Sequence, residues 1–235
     1  MMKFLYFSLS EAHLASGVTV VVDVLRAFTT AAYAMDAGAR AIYPVSTVVE
    51  ALKFKNVIDA LTMGEVNALK PEGFDFGNSP AVISKQNLQG KFLIQRTSAG
   101  TQGIVHAVNA DIILATSFVV AGATAAHLVS LAPSSISFII TGDSLGRDGD
   151  EDRACAEYIA AIVSGLRPNP DTFTARVKTS TVGRLFLDGL NPHLSPIDLE
   201  MSIQVDKFHF PLLVERVKQS LVIKNKTGRF NSEEN

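Results

Sequence analysis

The sequence predicts an α/β fold: a largely parallel or mixed sheet flanked by helices in three layers (α/β/α), as one body or as two sub-lobes around a cleft. Short β-branched runs alternate with Ala-rich segments of helical length, the pattern of strand–helix–strand units. The 235 residues are 47% hydrophobic and only 19% charged, which supplies a sizeable core and argues against general disorder. Acids, hydroxyls and glycines recur directly after the apolar runs, where the carboxyl ends of parallel strands gather their loops.

Residues 18–24 are a near-continuous apolar run closed by Asp23 and read as a buried central strand. Residues 27–37 read as a helix stopped at Gly38, 41–45 as a strand, and 47–57 as a helix capped by Ser46 or Thr47. A strand over 60–63 leads into Gly64-Glu65. Residues 91–95 form a strand, followed by Thr97-Ser98-Ala99-Gly100-Thr101 and a helix to about Val108. Strands over 111–115 and 135–141 bracket a helix over 119–131, and 152–165 is the last clear helix. After Pro168 the pattern weakens. Residues 182–189 suggest a helix, while 198–205 and 209–214 fit strand or helix equally. Residues 1–166 thus carry the motifs as the main body. Residues 167–235 are expected to pack on the same domain, with a polar tail from about 224.

The composition excludes several classes. A net charge of −2 without a basic stripe argues against a nucleic-acid partner. One cysteine, Cys155, excludes an internal disulfide framework and a cysteine-built zinc site. The apolar start is too short for a signal peptide, and no run reaches the length of a membrane span, so a cytoplasmic protein is expected. No serine-hydrolase elbow, zinc-hydrolase or dinucleotide fingerprint is present. The cysteine-phosphatase pattern needs an arginine six residues after its cysteine, and position 161 is Ala.

Four segments carry candidate chemistry. Residues 69–80 place Glu72, Asp75, Asn78 and Ser79 on a loop stiffened by two glycines and two prolines, a donor set suited to a hard cation or charged ligand; the plainer alternative is a turn with solvated acids. Asp23 and Arg26 flank the start of a helix: the acid can hold Mg²⁺ or act as base, the guanidinium can grip a phosphate, or the two can simply pair. Arg96, Ser98, Gly100 and Thr101 surround a strand-to-helix turn whose N–H groups form either an anion site or a helix cap. In the acid-rich loop at 142–152, Asp148 and Asp150 read as a solvated turn, Glu151 and Asp152 as ligands. Hard oxygen donors without a histidine cluster point to Mg²⁺.

Together, Val-Val-Asp-Val-Leu-Arg-Ala at 21–27, Gly-Glu at 64–65, Glu-Gly-Phe-Asp-Phe-Gly-Asn-Ser-Pro at 72–80, Thr-Ser-Ala-Gly-Thr at 97–101, Ser117 and Glu-Asp-Arg-Ala-Cys-Ala at 151–156 resemble the 2-phosphosulfolactate phosphatase family, Mg²⁺-dependent phosphatases of coenzyme M biosynthesis. The likeness runs from Val18 to about Leu166. It departs at Ala99, where the family usually has asparagine, and at Val66-Asn67-Ala68, which lacks the family's basic and glycine residues. The resemblance implies a phosphoric monoester hydrolase acting on a small phosphorylated acid such as 2-phospho-3-sulfolactate. It implies Asp23, Arg26 and Asp75 as catalytic residues, with Mg²⁺ held among Asp23, Glu65, Glu72, Asp75, Glu151 and Asp152. Arg26, Asn78, Arg96, Ser98, Gly100, Thr101 and Ser117 would bind substrate. Loss of Asp75 or Arg26 is expected to cost about a hundredfold in rate. Two other readings compete: a non-catalytic anion-binding protein on the same fold, and an isochorismatase-like hydrolase using Asp23, Lys91 and Cys155. The apolar C-terminal third can pack on the core or form a homodimer interface.

Overall fold

The computed structural model describes residues 2–144 and 146–225. In chain order the elements are β1 (Lys3–Ser8), β2 (Gly17–Val22), α1 (Ala27–Asp36), β3 (Ala41–Pro44), α2 (Val48–Ile58), β4 (Leu61–Gly64), the single turn α3 (Pro80–Ile83), β5 (Phe92–Arg96), α4 (Gly100–His106), β6 (Ala110–Thr116), α5 (Ala121–Leu131), β7 (Ser135–Ile140) and α6 (Asp150–Val163). The C-terminal third adds α7 (Pro170–Thr179), α8 (Thr181–Leu187), α9 (Pro196–Ser202) and the strands β8 (Leu212–Val217) and β9 (Ser220–Asn225).

The strands form one mixed nine-stranded sheet in the order β1-β7-β2-β6-β8-β9-β3-β5-β4. Strands β1, β7, β2 and β6 are parallel to one another, as are β3, β5 and β4. The antiparallel hairpin β8–β9 stands between these halves, pairing with β6 on one side and β3 on the other. Each of its three antiparallel pairings reverses the direction, so the two parallel halves run opposite ways along the sheet. Their carboxyl ends nevertheless meet in space. Gly100, just beyond β5, abuts Asp23, just beyond β2. The connections that follow the strands of both halves therefore share one cleft.

Alternation along the strands separates the faces of each half. Val21 packs with α1 and α4, whereas Val20 and Val22 pack with α5 and α6 on the other face. In the second half, Ile42 and Leu93 join the cluster of α1 and α4, while Ile94 and Tyr43 are covered by α2. Both halves thus carry helices on both faces, the α/β/α layering expected from the sequence. Helix α1 is apolar on nearly every side and every residue from Ala27 to Met35 is buried, as a helix lying between layers must be. Phe28 is fully enclosed, so truncating it to alanine would cost about 3–5 kcal/mol.

The structure assigns the stretches that the sequence left open. The apolar start is the edge strand β1, paired along its length with β7. Residues after Pro168 contain α7, begun by Asn169, which accepts from Asp171 N–H, and by Pro170 in the first turn. Of the two ambiguous stretches, 198–202 belong to helix α9 and 212–214 open β8. The tail does not begin at Lys224, since Lys224 and Asn225 still pair in β9; residues 226–235 lie outside the described residues. Among the described residues no helix is long and apolar enough to cross a membrane.

Candidate active site

The loops after β2, β4, β5 and β7 converge on a cleft of about 260 Å³ lined by Asp23, Leu25, Arg26, Glu65, Asn67, Ala68, Asn78, Ser98, Ala99 and Arg147 on its polar side. Val182, Leu185, Phe186, Asn191 and Leu194, from α8 and the loop after it, supply the opposite wall. A small inner recess of about 30 Å³ continues from Asp23 and Arg147 to Glu151 and Asp152. A larger hollow of about 660 Å³ lies elsewhere, between α2, the end of β3 and the β8–β9 turn, and holds none of the clustered acids.

Asp23 sits immediately beyond β2 and is 6% exposed. Its Oδ1 accepts from Ala27 N–H at 2.8 Å, which fixes the carboxylate against the first turn of α1. Burial pushes the carboxyl up to about 7 against that lowering bond, and the charges of Glu65 and Glu151 add to the rise. Asp23 therefore senses both of these acids.

Glu65 follows β4 because Gly64 adopts a φ of +139°; a side chain on Gly64 would collide with the Arg96 carbonyl. Oε1 of Glu65 accepts from Ser98 N–H at 2.6 Å, and Oε2 accepts from Ser98 Oγ at 3.0 Å and Ala68 N–H at 2.8 Å. The loops after β4 and β5 are thus joined through one carboxylate.

Glu151 and Asp152 open α6 and behave differently. Asp152 accepts from Val24 N–H at 2.7 Å on Oδ1 and from Gly142 N–H at 2.7 Å on Oδ2, so it clamps the end of β7 to the end of β2. Burial raises its carboxyl well above the usual range, and Glu151 and Asp23 reinforce the rise. Glu151 is also raised by burial, and its Oε2 is enclosed without a hydrogen-bond partner.

Arg26, joined to Leu25 by a cis peptide bond, begins α1 and is 5% exposed. Its Nη1 donates to Asp198 Oδ2 at 2.6 Å, and its guanidinium lies 5.2 Å over the Phe186 ring. Asp198, from α9, also accepts from Ser79 Oγ at 2.7 Å and Ala81 N–H at 3.1 Å. The second cation of the cleft is Arg147, tied to the carbonyl and hydroxyl of Ser144. Sequence reasoning singled out neither Asp198 nor Arg147; Asp198 lies 172 residues from Arg26 and no local pattern announces it.

The structure brings together Asp23, Arg26, Glu65, Asn78, Ser98, Glu151 and Asp152, and leaves other sequence candidates apart. Asp75 lines neither cleft nor recess. Burial opposes it, but bonds from Lys55 and from Thr62 hold its carboxyl below the usual range; Lys55 Nζ lies at 2.7 Å. It ties α2 to β4. Glu72 is exposed on the same loop and lines neither hollow. Arg96 spends its donors on the carbonyls of Ser46 and Glu65, a backbone brace. Thr101 exchanges bonds with Thr97 as a buried helix cap, and Ser117 is fully buried and lines neither hollow. Gly100 contributes space: it leaves room for Asp23. Cys155 is buried, with its thiol raised well above the usual range by burial, the reverse of an activated nucleophile. Lys91 precedes β5, at the opposite end of that strand from the cleft. The isochorismatase-like arrangement is therefore absent.

Among the described residues, no three His, Cys, Asp or Glu side chains form a ready-made metal cage, so the six predicted ligands do not assemble as a set. The donors still fit Mg²⁺, which typically takes one or two carboxylates and completes its shell with water and substrate phosphate. The buried Asp23 carboxyl, raised further by neighbouring acids, and the orphaned Glu151 Oε2 are the observations that favour a cation here. Enclosed negative groups that raise one another's affinity for protons are also groups that a hard cation would relieve.

Residues 5–182 match the family model described as 2-phosphosulpholactate phosphatase. A protein named "Probable 2-phosphosulfolactate phosphatase" in Bacillus subtilis (strain 168) is 36% identical over 188 residues, covering 77% of this chain and 80% of that one. A namesake in Thermus thermophilus is 33% identical over 228 residues, 90% of this chain and 94% of that one. Another, in Carboxydothermus hydrogenoformans, is 42% identical over 146 residues, less than two thirds of either chain at 62% and 60%. The family-model match over most of the chain, together with relatives of this identity and coverage, makes this chain a member of the 2-phosphosulfolactate phosphatase family.

Proposed function

We propose that the cleft hydrolyses the phosphate ester of a small, multiply anionic acid, 2-phospho-3-sulfolactate, in a Mg²⁺-dependent reaction that yields sulfolactate and phosphate. The observation that carries this reading is that Asp23, Glu65, Arg26 and Arg147 line one cleft, with Glu151 in the small recess that continues from it. Acids for a cation and guanidinium groups for oxyanions are the two needs of phosphoryl transfer, in which positioning and charge stabilisation do most of the catalysis.

One or two of Asp23, Glu65 and Glu151 would hold Mg²⁺, with Asp152 bracing the turn that carries Glu151. Bound there, the ion supplies charge for the phosphoryl oxygens and lowers the pKa of a water. Arg26 and Arg147 orient the anionic ends of the substrate. Ala99, with its backbone N–H, and the Asn78 amide line the cleft and offer hydrogen bonds to its oxygens. Where Glu65 or Glu151 carries the ion, Asp23, fixed at Oδ1 by Ala27, would be free to take the proton of the attacking water. The apolar wall from α8 limits the water that reaches these charges.

Purified protein with Mg²⁺ is expected to release phosphate from 2-phospho-3-sulfolactate, to lose that activity in EDTA and to regain it with added Mg²⁺. Binding of inorganic phosphate without turnover of this or any phosphomonoester in a broad panel would overturn the enzyme reading in favour of an anion-binding protein.

A further inference from the structure

We propose that Asp198 is a positioning residue that aims Arg26 at the phosphoryl group, so that the C-terminal segment completes the active site. The inference rests on the phosphatase reading above. Asp198 lies beyond residues 5–182, the part of the chain that the family model matches.

The geometry is specific. Asp198 is 1% exposed and Arg26 5%, with 2.6 Å between Nη1 and Oδ2. The other carboxylate oxygen is held by Ser79 Oγ and Ala81 N–H, so Asp198 cannot turn without breaking bonds to α3 and its cap. The Phe186 ring lies under the guanidinium and restricts its tilt. Among the described residues Asp198 is the only hydrogen-bond acceptor of Arg26, which leaves the remaining donors of the fork at the wall of the cleft. A guanidinium on a flexible stem loses entropy whenever it engages a ligand, whereas one fixed beforehand does not. Asp198 therefore gives direction to Arg26 and at the same time offsets its charge.

Those two effects have opposite consequences for catalysis and for binding, and this separates positioning from a merely structural role. Asp198→Asn, nearly identical in shape, is expected to lower kcat tenfold or more. Inorganic phosphate, measured by calorimetry with Mg²⁺ present, is expected to bind the variant at least as tightly as wild type, because the Arg26 charge is no longer offset. In an Arg26→Lys background, Asp198→Asn is expected to change kcat less than threefold, since the group it positions is gone. If Asp198→Asn does not fold, Asp198→Glu keeps the charge and displaces it by one methylene; the same fall in kcat with unchanged phosphate affinity is expected. Unchanged kcat, kcat and phosphate affinity falling together, or additive losses in the double variant would each overturn the proposal. Wild-type protein that binds phosphate without turnover would overturn the phosphatase reading, and the calorimetric comparison would then decide the role of Asp198 alone.

Discussion

A side chain added to Gly100 would place its Cβ 2.7 Å from Asp23 Oδ2 and 2.6 Å from Ala27 Cβ. The start of α4 and the end of β2 therefore approach as closely as they do only because position 100 lacks a side chain. Gly100→Ala is expected to push Asp23 aside and to cut kcat at least a hundredfold, with a loss of stability of about 1–3 kcal/mol for overpacking. Turnover assays and chemical denaturation on the same preparation check both parts.

Asp75 and Glu65 are predicted to separate cleanly. Asp75→Asn breaks the link to Lys55 at the surface and is expected to leave kcat within threefold of wild type, with a loss of roughly 1 kcal/mol or less. Glu65→Gln removes a cleft charge and is expected to lower kcat about a hundredfold and to weaken Mg²⁺ dependence. Steady-state kinetics across a Mg²⁺ titration read the difference.

The Asp23 carboxyl, raised to about 7 in the folded chain, sets a pH dependence for the metal-free protein. Between its ordinary value of 3.8 and about 7 the folded state holds the proton and the unfolded state does not. Stability from this group is thus full at low pH and is lost as pH rises through that window. Thermal melts in EDTA are expected to show a lower midpoint at pH 8 than at pH 5, by about 2–4 °C for each kcal/mol. Asp23→Asn should reduce the slope, leaving the part set by the raised Asp152 and Glu151 carboxyls. Mg²⁺ at pH 8 should raise the midpoint in wild type by binding the folded state alone.

Asp152 accepts backbone N–H groups on both oxygens, from Val24 and Gly142. Asp152→Asn turns an NH₂ group toward one of those donors, leaving a buried N–H without an acceptor, and is expected to cost about 1–3 kcal/mol. Urea denaturation measures it.

Much of this was legible in the chain because buried parallel strands and interior helices have unmistakable patterns. The apolar runs of β2 and β7 and the Ala-rich α1 and α5 are examples, and Asp23, Glu65 and Glu151 stand out as acids directly after strands or at a helix start. Strands β8 and β9 were not legible. Leu212-Leu213-Val214-Glu215-Arg216-Val217 has neither strict alternation nor helical spacing, because its register answers to β6 rather than to solvent. The place of Asp75 is hidden for a related reason. A dense acidic loop looks alike whether it faces a ligand or a lysine, and Lys55 comes 20 residues earlier in a helix with its own reasons for basic residues. Asp198 and Phe186 reach Arg26 only through the tertiary fold.

The β8–β9 hairpin joins two parallel halves that are complete well before it in the chain. During synthesis, β6 and β3 have emerged long before residue 225, and each presents an unpaired strand edge until the hairpin arrives. The nascent protein consequently passes through a stage with two sticky margins, and its final zipping waits on the last described strand. A chain without residues 212–225 is therefore expected to keep both edges open and to self-associate.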